Sequence, residues 1–187
     1  MIKKFAAVSI FTLVLSLTTC QSITAEAKQL NTHVTQIVKP IKQTNLMSDS
    51  YLKTIILTKN TELVNKMITK VSEYNQKTWY VFSGSTPSGW DCSGLVMWSY
   101  DQIGINLEHS ATIQKHSGKT VKSPKVGDIV AFGWKDRSDF QHVGIYLGDG
   151  LMIHAGGGKG EKTETVNINK WGKHYTKITY TRLIDTL

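Results

Sequence analysis

Cys92 stands where turn-forming residues run into an apolar segment of helical character, in the stretch Gly89-Trp-Asp-Cys-Ser-Gly-Leu-Val96. The sequence has two cysteines, and the other, Cys20, lies in an N-terminal leader. Cys92 is therefore the single thiol expected in the processed chain. Such a cysteine is either a small buried hydrophobe or a reactive sulfur. Flanking by Asp, Ser and Gly in place of aliphatic residues favours the reactive reading. In the first turn of a helix the positive end of the macrodipole favours the thiolate, and a neighbouring imidazolium would favour it further. Asp91, the candidate N-cap of that helix, acts the other way.

Six histidines are available as partners. Only His142 and His154 fall on strong strand patterns, one on each arm of Gln141-His-Val-Gly-Ile-Tyr-Leu-Gly-Asp-Gly-Leu-Met-Ile-His-Ala155. The turn between the arms decides whether they can cooperate. A two-residue type I′ turn at Asp149-Gly150 pairs Gly148 with Leu151 and sends the two imidazoles to opposite faces. A three-residue loop, Gly148-Asp149-Gly150, pairs Leu147 with Leu151 and sets Gly144 opposite His154. Both histidines then share one face as diagonal neighbours. A catalytic pair is expected only with the second arrangement. A zinc site is the competing use of one cysteine and two histidines. No Cys-x-x-Cys or His-x-x-x-His spacing supports it, and no metal or cofactor is expected.

The elements that must position these groups are helices first and strands afterwards. Leu52, Ile55, Ile56, Leu63, Val64, Met67, Ile68 and Val71 fall on helical spacing, as one helix from Ser48-Asp49 or as two separated at Lys59-Asn60. Cys92 to Ile103 reads as a helix stopped by Gly104, and a short helix is expected at 110–115. Gly127 to Trp134, Gln141 to Leu147, Leu151 to Ala155 and Lys177 to Leu183 read as strands. This order predicts an α+β fold with an antiparallel sheet.

At 187 residues the chain has room for one domain with a real core. Lys3 and Lys4, the apolar run Phe5 to Leu17 and the small residues of Ala25-Glu26-Ala27 read as a signal peptide over 1–27, cleaved after Ala27. A rival reading makes Cys20 a lipid-anchoring residue, although Thr19 is bulkier than the residue usual before such a cysteine. Either way the protein is expected outside the membrane, secreted or in a cell wall. The formal net charge is +8, with eight lysines against three carboxylates between Lys28 and Lys77. In an exported protein this excess suits an anionic wall polymer or a solvated face better than nucleic acid, which is not expected as a partner. Residues 28–60 carry no recognisable chemistry.

Six motifs in order resemble the NlpC-type cell-wall cysteine peptidases. They are Trp79-Tyr-Val-Phe-Ser-Gly84, Asp91-Cys-Ser-Gly-Leu-Val96, His109-Ser-Ala-Thr-Ile-Gln114, Val126-Gly-Asp-Ile-Val130, His142-Val-Gly-Ile-Tyr-Leu-Gly148 and Ile153-His-Ala155. The resemblance covers about 61–187 and implies a papain-like α+β fold, with the nucleophile at a helix N-terminus packed on the sheet. It implies that Cys92 attacks, His142 is the base and His154 the orienting third residue. Tyr80 matches a tyrosine near the nucleophile that helps hold the oxyanion, and Asp91 and Ser110 match positions that shape the substrate pocket. The implied substrate is the peptidoglycan stem peptide, cut between D-glutamate and the diamino acid. Trp79, Ser83, His109 and Val126 depart from the usual Pro, Gly, Arg and Pro, which bears on pocket specificity. An amidase cutting the sugar–peptide junction and a non-catalytic wall-binding protein are the alternatives. Lipid-acting relatives usually place His before Cys.

Overall fold

The computed structural model describes residues 48–157 and 160–187. The expected leader over 1–27, Cys20 and the basic polar residues 28–47 lie outside the described residues. Helix α1 (Asp49–Ser72) runs without a break through Lys59-Asn60, so the longer of the two helix readings holds and the boundary drawn at residue 60 falls inside a helix. Its buried residues are Val64, Met67 and Val71, spaced three and four apart as one helix face requires.

The strands are β1 (Ser85–Thr86), β2 (Gly89–Trp90), β3 (Lys119–Val121), β4 (Ile129–Gly133), β5 (Phe140–Gly148), β6 (Leu151–Ala155), β7 (Thr163–Asn167) and β8 (Lys177–Arg182). Between them lie α2 (Cys92–Asp101), α3 (Ala111–His116) and α4 (Ile168–Trp171), which leads into a single 3₁₀ turn. Six strands form one antiparallel sheet in the order β3-β8-β4-β5-β6-β7. Helices lead and an antiparallel sheet follows, as expected of an α+β chain. The edge strands β3 and β7 were not foreseen, because Lys119-Thr-Val and Thr163-Glu-Thr-Val-Asn are too polar to stand out as strands.

The sheet separates two apolar clusters. On one face Ile129, Ala131, Val143, Ile145, Ile153 and Ala155 pack with Val64, Met67, Val71, Leu95, Val96 and Tyr100 from α1 and α2. On the other, Val130, Phe132 and Met152 pack with Ile168, Trp171 and Tyr175. Period-two alternation along β4, β5 and β6 produces this division.

Polar contacts made by three side chains fasten these elements to one another. Trp90 Nε1 donates to Thr163 Oγ1 at 2.7 Å, joining the residues just before α2 to β7. Gln114 is fully buried, and its amide donates to the carbonyls of Ser93 and Glu108, both at 2.8 Å. The Arg182 guanidinium binds the Asp128 carboxylate through Nε at 3.0 Å and a terminal nitrogen at 2.7 Å, closing β8 onto the start of β4. The Gly-Asp motif thus holds β8 at the start of β4, and the Ser-Ala-Thr-Ile-Gln motif holds α3 to the first turn of α2.

Candidate active site

Cys92 is the first residue of α2, with Asp91 as its N-cap in an extended conformation. One Asp91 oxygen accepts the Gly94 N–H at 2.7 Å and the Ser93 hydroxyl at 3.0 Å. The other accepts the Ser83 N–H at 3.0 Å. His109 Nε2 lies 2.7 Å from Asp91 Oδ1. The carboxylate therefore fastens the preceding loop, the helix start and His109 to one point beside the thiol. Ser83 sits at φ 58°, a left-handed conformation uncommon for a residue with a side chain and held here by that bond.

The helix does not lower the thiol pKa outright, as its position suggested. Burial pushes the Cys92 thiol up to about 11; the Val143 N–H opposes this, the Asp91 charge adds to it, and the N–H groups of Ser93 and Cys92 oppose it again. The thiol thus reaches the backbone of the residue immediately after His142.

The turn joining β5 and β6 combines the two expected arrangements. Asp149 and Gly150 have φ of 52° and 71°, and Gly148 pairs with Leu151, as in a two-residue type I′ turn. By itself that turn would send the histidines to opposite faces. A bulge between Tyr146 and Gly148 absorbs one residue, so Tyr146 pairs with Met152 and Ile145 with Ile153. Continuing this register sets Gly144 opposite His154, and both imidazoles share a face. The expectation that only a three-residue loop could do this is corrected: a two-residue turn plus a bulge has the same effect on register.

His142 Nε2 and His154 Nδ1 are 2.9 Å apart, with the rings nearly perpendicular at 81°. A Cβ on Gly144 would lie 2.9 Å from the Ile153 carbonyl oxygen and 3.1 Å from His154 Cβ. Gly144→Ala is therefore expected to lower stability by about 1–3 kcal/mol through overpacking. It should also displace His154, so that activity measured on the fraction still folded falls too. Urea unfolding and turnover of the same preparation would check both effects.

Trp171 covers the pair, with ring centroids 4.4 Å from His142 and 4.6 Å from His154, and Phe132 lies 5.9 Å from His142 and 5.1 Å from Trp171. Behind them Tyr175 stacks on Trp171 at 5.8 Å, and its phenol is raised by burial and then by charge at Cys92. Burial, and then His154, push His142 well below its ordinary value. Burial pushes His154 down to about 4 against the Ala155 carbonyl, which acts upward. At neutral pH both imidazoles are uncharged.

Tyr80 joins the site: burial, then the charges of Cys92, Asp91 and Glu161, raise its phenol. Ser110 caps α3, its hydroxyl accepting the Ile113 N–H at 3.4 Å. Sequence reasoning missed Trp171, Tyr175 and Glu164. Glu164 lies opposite His154 in the β6–β7 ladder, with Oε1 3.5 Å from His154 Nε2. The alternation of Thr163-Glu-Thr-Val-Asn167 was the available signal for β7. Among the described residues no group of three or more His, Cys, Asp or Glu is placed to hold a metal ion.

The NlpC/P60 family profile matches residues 77–180, more than half of the sequence. The chain belongs to the NlpC/P60 family. Among solved structures, the peptidoglycan hydrolase RipB of Mycobacterium tuberculosis superposes with a TM-score of 0.57 at 26% identity, covering 67% of this chain and 66% of that one. The gamma-DL-glutamyl hydrolase of Bacillus subtilis is 40% identical over 114 residues, 58% of this chain and 26% of that protein. The murein DD-endopeptidase/LD-carboxypeptidase MepS of Escherichia coli K12 is 31% identical over 124 residues, 65% and 64% of the two chains. The match to a Mycobacterium tuberculosis protein named as an endopeptidase spans only 19% of that protein. The papain-like α+β fold expected from the motifs is thus the NlpC/P60 fold, and its central motifs lie where α2, β5 and β6 converge.

Proposed function

We propose that this NlpC/P60 protein is a cysteine endopeptidase that hydrolyses peptidoglycan stem peptides. The observation that carries the reading is the 2.9 Å contact between His142 Nε2 and His154 Nδ1, together with the Cys92 thiol meeting the N–H of Val143, the residue after His142. That contact occupies Nε2 and leaves His142 Nδ1 for the thiol. Burial opposes a lone charge on either group, whereas moving the thiol proton to the imidazole creates two opposite charges side by side. The proton transfer therefore accompanies attack on the scissile carbonyl.

The N–H groups at the start of α2, with the Tyr80 hydroxyl, stabilise the oxyanion. His142 then gives its proton to the leaving amine, and a thioester remains on Cys92. Water, deprotonated by His142, attacks the thioester and returns the thiol. Trp171, packed over both imidazoles, holds them in place. The names of the Bacillus and Escherichia relatives support a peptide bond of the wall as substrate. The apolar leader read at residues 1–27 fits action outside the membrane.

The finer reading is cleavage between D-glutamate and the diamino acid. Digestion of peptidoglycans of known stem composition, with products identified by mass, tests it. The expected products are fragments ending in D-glutamate and fragments beginning with the diamino acid. Intact stems released from sugar would establish an amidase in its place, and opened D-alanyl cross-links a different endopeptidase specificity.

A further inference from the structure

We infer that Glu164 is a positioning residue of the catalytic relay, holding His154 in the tautomer that carries its proton on Nε2. The inference rests on the cysteine-peptidase reading, and it follows from what each imidazole nitrogen faces. When His142 takes the thiol proton, both its nitrogens are protonated and Nε2–H must donate to His154 Nδ1, 2.9 Å away. His154 can accept only if Nδ1 keeps its lone pair, which places its own proton on Nε2.

Two acceptors compete for that proton. The Ala155 carbonyl lies 3.1 Å from Nδ1 and favours the opposite tautomer. In that tautomer His154 donates to His142 Nε2, the His142 proton sits on Nδ1, and no lone pair faces the thiol. The productive tautomer needs an acceptor at Nε2. His154 is fully buried, and among the described residues Nε2 has no hydrogen-bond partner within the ordinary range. The group nearest to supplying one is the Glu164 carboxylate, with Oε1 at 3.5 Å.

The fold places Glu164 there by register. His154 and Glu164 are direct partners across β6 and β7, so their side chains leave the sheet on the same face. The Glu164 side chain is 35% exposed and the His154 ring wholly enclosed. The carboxylate can therefore rotate to close the remaining gap to an ordinary hydrogen-bond distance of about 2.9 Å, while the ring, packed under Trp171, cannot. Among the described residues the ionisable groups that act on Glu164 are His154, 3.5 Å away, and Glu161; burial, then the Glu161 charge, raise its carboxyl. Glu164 is not a proton carrier in this scheme; it decides which nitrogen of His154 holds the proton.

The test is ¹⁵N-histidine spectroscopy of the full chain, with His154→Asn assigning the resonance, together with turnover of defined stem peptides. Wild-type His154 is expected as the Nε2–H tautomer and Glu164→Ala as the Nδ1–H tautomer. Loss of such a supporting contact is expected to lower kcat roughly ten- to a hundredfold with KM unchanged. Glu164→Gln, which keeps an acceptor oxygen, should retain the tautomer and lose less. An Nδ1–H tautomer in the wild type, or a Glu164→Ala protein with unchanged tautomer and kcat, would overturn the inference. A wild-type protein that cuts no stem peptide would sink the peptidase reading instead, while the tautomer measurement would still decide the role of Glu164.

Discussion

Cys92→Ala is expected to leave peptidoglycan stem peptides uncut, with turnover lowered by roughly 10⁴-fold or more, the scale of losing the nucleophile of a catalytic unit. The reason is specific to covalent catalysis. The alanine protein retains the helix start, the Asp91 cap and the histidine pair, so binding and the oxyanion N–H groups survive, but no thioester can form. His142→Ala should lose activity on the same scale, because the buried thiol then has no acceptor for its proton. The double variant is expected to be no slower than either single one, since the two residues act as a unit. Release of new amino termini from purified peptidoglycan, with folding checked by circular dichroism, measures all three. Undiminished cleavage by Cys92→Ala would refute the mechanism.

The second large effect is acid sensitivity of the fold. Burial pushes His154 down to about 4 and His142 well below its ordinary value. In the unfolded chain both titrate near about 6.5. Between those values the unfolded state binds more protons than the folded one, so each step down in pH favours unfolding. The stabilising contribution is complete above about pH 6.5 and is lost as pH falls towards 4. For His154 alone this displacement corresponds to about 3 kcal/mol, and His142 adds to it. Urea midpoints should therefore fall steeply between pH 6.5 and 4.5 in the wild type and less steeply in His154→Asn. Equal slopes in the two proteins would show that other groups govern acid unfolding. The same displacement keeps His142 neutral below pH 6.5, so the acid limb of kcat/KM is expected there rather than at the ordinary histidine value.

Both effects trace to residues that could be picked out from the chain, but not for the same reasons. Asp91 as N-cap and Cys92 as first helical residue are local matters: a side chain that accepts from Gly94 three residues on, before an apolar run, needs no distant partner to be recognised. Register in the β5–β6 hairpin is different. The turn at Asp149-Gly150 was legible from its left-handed formers, and counted alone it gave the wrong faces. The bulge that restores register leaves almost no mark beyond Gly148 at φ 96°, because it is chosen by the burial of Ile145, Ile153 and Met152 on their respective faces.

The amino-acid order by itself determined the α+β succession of elements and singled out Cys92, His142 and His154 as candidates, since these depend on residue type, on motif order and on periods of two and 3.6 residues. Tertiary structure alone decided that Asp91 is tied to His109, that Trp171 closes over both imidazoles, and that Glu164 stands beside the outer nitrogen of His154. Those relations arise when a polar edge strand pairs with β6 and when a four-residue helix folds back over the sheet. Each has only a weak local signature, the alternation of Thr163 to Asn167 and the Asn167 cap that accepts the Lys170 N–H, and each is placed by contacts to residues far away in the chain.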